Sequence, residues 1–245
     1  MDLLTPDWPV PANVRAVCTT RTGGVSQGPY DSLNLGDHVG DEPQRVARNR
    51  AIVAEAMGAR PVYMEQVHGV GVARLDADAR DGLRADGCFT SHQQVACTIM
   101  VADCLPVLLA AEDGSIVGAA HAGWRGACEG VVEATVKAMG VAPASLVAWL
   151  GPCIGPEAFE VGDEVRAAFA ARDPQDAQHF QPYREGKWLA DLPALTRRRL
   201  HAMGVSRIHG NDGTRAWCTV ANPSRFFSHR RDRVSGRFAA VVWLA

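Results

Sequence analysis

His68, Cys104 and His121 are the residues of this chain best suited to carry out chemistry. They lie in three short segments: Glu65-Gln66-Val67-His68-Gly69, Ala102-Asp103-Cys104-Leu105-Pro106 and His121-Ala122-Gly123-Trp124-Arg125-Gly126. Two imidazoles and one thiolate make three ligands, one short of tetrahedral zinc. Structural zinc sites use four protein ligands, whereas catalytic ones keep a position open for water or substrate. A three-ligand set therefore predicts a reactive zinc-bound water, and with it an enzyme. Each residue also has an ordinary role to weigh. A histidine near a strand end commonly serves as a hydrogen-bonding group, and a free cysteine commonly serves as a small core hydrophobe.

Local turn chemistry brings two of the three together. Ala111-Glu112-Asp113-Gly114-Ser115-Ile116 reads as a tight hairpin with Asp113-Gly114 at its turn. That register pairs 112 with 115 and 111 with 116, sets Pro106 opposite His121, and leaves Cys104 just beyond that pair. Leu105-Pro106 marks the end of the first strand, as proline does at a sheet margin. His68 needs a tertiary contact that the hairpin does not supply.

Three helices are expected from 3.6-residue spacing, over 43–57, 127–139 and 191–203, each ending in Met-Gly with the glycine placed as a C-terminal cap. The first turns Val46, Ile52, Val53 and Ala56 inward, the second Val131, Val132, Thr135 and Val136, and the third, capped by Asp191, Leu192, Leu195 and Leu200. A fourth amphipathic segment spans 161–171 and carries Val165 and Phe169. Strand-like runs cover 14–20, 95–101, 107–111, 116–120, 146–150 and 237–244. These elements lack regular β-α-β alternation, which predicts an α+β fold. The long irregular segments 22–41 and 216–236 are rich in Gly, Asn, Ser and Arg, and loops of that length are usually functional or disordered.

Composition limits the function classes. A chain of 245 residues, 47% hydrophobic and 21% charged, can bury a substantial core as one domain spanning 1–245. A net charge of −2 and a pI near 6.4 give no electrostatic footprint for nucleic acid or membrane. The longest apolar run, 98–111, is interrupted by Asp103 and is too short to span a bilayer. The start, Met1-Asp2-Leu3-Leu4-Thr5-Pro6, lacks the basic and apolar parts of a signal peptide. Seven cysteines (Cys18, Cys88, Cys97, Cys104, Cys128, Cys153 and Cys218) are an odd number without a C-x-x-C pair, which predicts a reduced, cytoplasmic protein.

The order of motifs resembles the laccase-domain family, whose members are called multicopper polyphenol oxidoreductases, zinc-dependent purine nucleoside phosphorylases and peptidoglycan editing factors. The resemblance rests on Thr19-Thr20-Arg21-Thr22-Gly23-Gly24-Val25-Ser26, Ser32-Leu33-Asn34-Leu35-Gly36, and the three ligand segments. It continues through Leu150-Gly151-Pro152-Cys153-Ile154-Gly155-Pro156, Phe159-Glu160-Val161-Gly162, Asp191-Leu192 and Arg225-Phe226-Phe227-Ser228-His229-Arg230-Arg231-Asp232. It implies one α+β domain with mixed β-sheets and flanking helices, and zinc bound jointly by His68, Cys104 and His121. Two departures stand out: Glu65 replaces the usual asparagine, and His229 replaces a common tyrosine. Glu65 is expected either to add negative charge beside the metal or to face solvent.

The resemblance further implies phosphorolysis of purine nucleosides (adenosine, inosine and 5′-methylthioadenosine) with phosphate as partner and adenosine deamination as a side activity. Gly123-Trp124-Arg125-Gly126 at a helix start offers an anion cradle, with Arg125 as a guanidinium fork; the ordinary alternative is a strand-to-helix turn with Arg125 in solvent. Asn34 and Arg50 are candidate substrate contacts. Asp103 serves as acid/base or ligand orienter, or, as strand alternation favours, in a structural role. Arg21, Arg225, Arg230 and Arg231 remain unassigned.

Three other functions compete. A multicopper oxidase needs His-x-His pairs, and the eight histidines here include none; a single copper on two His and one Cys remains compatible with the ligand set. Peptidoglycan-editing relatives imply an amidase that removes L-serine from a UDP-sugar precursor. A non-enzymatic structural-zinc module requires a fourth protein ligand, with Cys88 and Cys153 as the candidates.

Overall fold

The structure, a computed structural model, describes residues 1–245 and has an α+β architecture of two mixed sheets and a small antiparallel one, with flanking helices. The first sheet orders β1 (Leu3–Leu4), β2 (Val14–Thr19), β14 (Phe238–Leu244), β6 (Val95–Val101) and β3 (Arg60–Tyr63). The second orders β13 (Arg207–Gly210), β9 (Leu146–Leu150), β7 (Leu105–Ala111), β8 (Val117–Ala122), β5 (Gly87–Thr90) and β4 (Val72–Arg74). A small third sheet joins β10 (Glu160–Gly162), β12 (Lys187–Ala190) and β11 (Phe180–Arg184).

Burial explains why the central strands read as unbroken apolar runs. Every residue of β6, β7 and β14 is buried, because both faces of these strands are covered. One core lies between the two large sheets, with Val62, Ile99, Val101, Leu108, Val117, Phe238 and Val242. A second lies between the six-stranded sheet and the helices, with Val107, Leu109, Val132, Val136, Phe169, Leu195 and Leu200. Each such side chain removed from water contributes about 1.5–3 kcal/mol. A smaller third cluster, with Leu33, Leu35, Val53, Met100 and Val241, covers the outer face of the first sheet.

The helices follow the expected spacing with three differences. Helix α1 (Pro43–Met57) ends on Gly58 at φ +63, and α5 (Leu192–Met203) starts on Asp191, whose side chain accepts the Ala194 N–H at 2.9 Å. On α1 the buried residues are Val46, Asn49 and Val53, while Ala56 is exposed and Ile52 half-buried. Asn49 takes the inward place because the 22–41 loop supplies polar partners: its amide donates to Ser26 Oγ and the Asn34 carbonyl, and accepts the Val25 N–H. The helix expected over 127–139 is two helices, α2 (Trp124–Glu129) and α3 (Val131–Ala138), divided at Gly130, whose φ of +104 ends the first. The segment expected over 161–171 is α4 (Asp163–Arg172), since Val161 and Gly162 pair in β10 instead. A short α6 (His229–Asp232) lies within the 216–236 loop. No helix is long and apolar enough to cross a membrane.

The β7–β8 hairpin has the expected register, but its turn is four residues, 112–115: the Gly114 N–H donates to the Ala111 carbonyl at 3.0 Å, and the Glu112 N–H donates to the Ser145 carbonyl instead of pairing with Ser115. Leu105 pairs with Ala122 and Pro106 with His121, and the Ala111 N–H donates to the Ile116 carbonyl at 3.0 Å. Pro106 is tolerated inside β7 because only its carbonyl is used, accepting the Gly151 N–H at 2.9 Å.

Candidate metal centre

His68, Cys104 and His121 converge, with one ligand atom from each lying within 4.8 Å of the others. Cys104 occupies the connection between β6 and β7, and His121 lies at the paired end of β8. His68 lies on the loop after β3, with φ of +61. Gln66 pins that loop to β6 like a short strand: its side chain donates to the Met100 carbonyl and accepts the Met100 N–H, both at 2.8 Å.

Asp86, fully buried, is the group that organises the centre. Its carboxylate accepts the backbone N–H groups of Val67, His68 and Gly69 at 3.1, 2.9 and 2.8 Å. The same carboxylate accepts from His121 Nδ1 at 2.8 Å, leaving Nε2 free for a metal. One side chain therefore positions two of the three ligands. Burial opposes the Asp86 charge, but hydrogen bonds from His121 and the loop N–H groups prevail and hold its pKa below the usual carboxylate value.

The electrostatics make Cys104 a ready ligand. Burial raises its pKa, yet the His121 charge and hydrogen bonds from both histidines outweigh burial and bring the thiol down to about 6. Burial likewise disfavours the His121 cation, but the Cys104 thiolate and Asp86 lift it to about 9. The donor set fits zinc. Tetrahedral N and S ligands at about 2.1 and 2.3 Å from the ion stand about 3.4–3.8 Å apart, and Cys104 Sγ lies 3.7 Å from His68 Nε2.

No fourth protein ligand joins the group. Cys88, expected as a candidate, is packed between the two large sheets. Cys153, the other, is buried with its sulfur hydrogen-bonded to Asn211 Nδ2 at 3.3 Å. The structural-zinc expectation fails because both sulfurs belong to the core.

The three ligands open into a cavity of about 480 Å³, which Met100, Trp124, Ile154, Phe159 and Leu192 line together with His38, His229, Arg230, Arg233 and Arg237. The remaining residues nominated from sequence lie elsewhere. Arg125 is exposed and stacks on the Trp124 ring, 4.4 Å from its centroid, outside the cavity. Arg50 lies over the Tyr63 ring at 4.0 Å, donates to the Leu35 carbonyl and pairs with Asp37 at 3.2 Å. Asn34 is fully buried; its carbonyl oxygen accepts the N–H groups of Gly36 and Arg237 at 2.9 and 2.8 Å, so it shapes the start of β14. Glu65 faces solvent.

Asp103 takes the structural role. It accepts the Thr219 hydroxyl at 2.6 Å and the Arg230 N–H at 2.7 Å, tying the 216–236 loop to the cavity wall. Arg231 and Arg21 donate mainly to backbone carbonyls within the same loop system, and Arg225 stacks on Phe226. Reading by residue type missed Asp86, Gln66, Arg233 and Arg237. Asp86 and Gln66 act on backbone groups, which leave no pattern of residue types. Arg237 was legible only as the first residue of a strand.

Known proteins share the fold and much of the sequence. A Pseudomonas aeruginosa protein named purine nucleoside phosphorylase is 52% identical over 242 residues, covering 98% of each chain. Escherichia coli YfiH, also named purine nucleoside phosphorylase, is 47% identical over 244 residues, covering 99% of this chain and 98% of its own. The crystal structure of a Neisseria meningitidis protein assigned to DUF152 superposes with a TM-score of 0.95 at 48% identity, covering 100% of this chain and 99% of its own. YlmD from Geobacillus stearothermophilus superposes with a TM-score of 0.88 at 33% identity, covering 95% and 92%. The family described as multi-copper polyphenol oxidoreductase laccase matches residues 15–245, and the chain belongs to it.

Proposed function

We propose that this protein is a zinc-dependent purine nucleoside phosphorylase acting on adenosine, inosine and 5′-methylthioadenosine, with adenosine deamination as a side activity. The observation that carries this reading is the three-ligand group His68, Cys104 and His121, with no fourth protein ligand, at a cavity large enough for a nucleoside. The names of the P. aeruginosa and E. coli relatives support it.

Zinc held by these residues supplies a Lewis acid inside the cavity. Asp86 keeps His121 in the tautomer that presents Nε2 and holds the His68 loop in place. Trp124 and Phe159 offer apolar and aromatic surface for a purine, with Met100 and Ile154 excluding water beside them. In phosphorolysis a phosphate oxygen bonds to ribose C1′ while the C1′–N9 bond breaks. The bonding pair leaves on the purine, which takes up a proton, giving free base and ribose 1-phosphate. In deamination water adds at C6 and ammonia leaves. The imidazolium of His121 and the thiolate of Cys104 belong to the metal-free protein; neither is required as a proton carrier.

Incubation of the zinc-loaded protein with adenosine, with and without phosphate, tests the reading. Adenine and ribose 1-phosphate are expected only with phosphate, inosine in smaller amount in both, and neither from Cys104→Ala. Absence of all these products above the Cys104→Ala background would overturn it.

A further inference from the structure

The cavity lining includes three guanidiniums, from Arg230, Arg233 and Arg237, and the imidazoles of His38 and His229. Asp103 is the only carboxylate among the lining residues, and both its oxygens are already engaged by Thr219 and Arg230 N–H. None of the three guanidiniums forms a salt bridge, although Glu160 lies near Arg230, and Asp103 and Cys104 near Arg237. Arg230 donates only to the carbonyls of Ala158 and Glu160, at 3.3 and 3.1 Å. Arg237 donates from Nη1 to the carbonyls of Ser235 and Gly236, at 2.9 and 3.0 Å, leaving its other nitrogens to the cavity. Arg233 is exposed.

Placing a part-buried guanidinium without a carboxylate partner is costly, and burial holds the Arg237 pKa below its usual value. Such a cost is offset when an anion arrives. Guanidiniums suit phosphate in particular, because their planar fork matches two phosphate oxygens at once. A neutral nucleoside needs no such lining; its co-substrate does.

We propose that Arg230, Arg233 and Arg237 form the subsite for inorganic phosphate, on the same cavity as the metal ligands, which Arg125 does not line. This rests on the phosphorolytic reading of the cavity. The arginines hold the phosphate by charge and hydrogen bonds and take no part in bond exchange; Asn34 and Asp103, which fix the backbone of Arg237 and Arg230, set their spacing.

The test measures inorganic phosphate binding to the zinc-loaded protein by calorimetry, alongside KM for phosphate and for adenosine. Arg233→Gln and Arg237→Gln are each expected to weaken phosphate binding and raise the phosphate KM by about tenfold or more, the loss of a charge-assisted hydrogen bond. The adenosine KM should change far less, and Arg125→Gln should match the parent. Arg233→Gln keeps the test decisive if Arg237→Gln fails to fold, since the Arg233 side chain is exposed. Phosphate binding and phosphate KM unchanged in the soluble arginine variants would overturn the subsite while leaving phosphorolysis standing. Arginine-dependent phosphate binding without nucleoside turnover would keep the subsite and overturn the phosphorylase reading. AMP that displaces phosphate, binds more tightly and shows the same arginine dependence would overturn free phosphate as the occupant.

Discussion

The Asp86 carboxylate lies 2.8 Å from His121 Nδ1 while accepting the His68 backbone N–H at 2.9 Å, so one buried acid couples two metal ligands from different parts of the chain. Asp86→Ala removes that coupling and leaves the N–H groups of Val67, His68 and Gly69 without their acceptor. Partners of this kind, mutated in metalloproteins, typically cost 10–100-fold in metal affinity, and a loss of about 10–100-fold is expected here by competition with a zinc chelator. Asp86→Asn retains one acceptor oxygen and should lose less. The stability effect has a defined sign. Because the folded pKa lies below the unfolded value of about 3.9, the Asp86 contribution is present above that value and is lost as pH falls through the folded pKa. Acid unfolding of Asp86→Asn should therefore depend less steeply on pH than that of the parent; identical slopes would contradict the assignment.

Gly123 is small because two ligands pass close to it. A Cβ at this position would lie 2.8 Å from His68 Cδ2 and 3.0 Å from Cys104 Sγ. Its backbone, at φ −65, is open to any residue, so Gly123→Ala introduces crowding without backbone strain. Zinc stoichiometry and affinity should fall by about tenfold or more, with a change in unfolding free energy of roughly 1–3 kcal/mol. Unchanged zinc binding in Gly123→Ala would show that the ligands move aside freely.

Thiol labelling separates Cys104 from the other cysteines. It is the only one of the seven that is not buried. In metal-stripped protein its pKa of about 6 makes the thiolate the majority form at pH 7, and the fraction falls as pH drops below that value. Burial raises the pKa of Cys128 and Cys153 and suppresses their thiolates. Iodoacetamide followed by mass spectrometry should find a single modified site, half-reactive near pH 6 and protected by zinc. Labelling spread over several cysteines in the folded protein would count against this microenvironment.

Much of the site was legible because it depends on local rules. A tight turn over 112–115, with the Gly114 N–H on the Ala111 carbonyl, sets the β7–β8 register, and the pairing then carries Pro106 to His121. The central strands were visible because burial on both faces demands continuous apolar residues. Short pieces such as β10–β13 were not, since three to five residues give too few repeats to reveal a period. The break at Gly130 was hidden by apolar spacing that continues on both sides of it.

The amino-acid order alone determined the α+β class, the hairpin and the three candidate ligands, because turn chemistry and side-chain period act over a few residues. Tertiary structure decided the rest. It brought His68 to the hairpin through Asp86 and Gln66, which hold its loop by backbone groups that carry no residue-type signature. It also set Arg230, Arg233 and Arg237 in the cavity and kept Arg125 outside, because a guanidinium's neighbours depend on how distant segments pack rather than on the residues beside it in the chain.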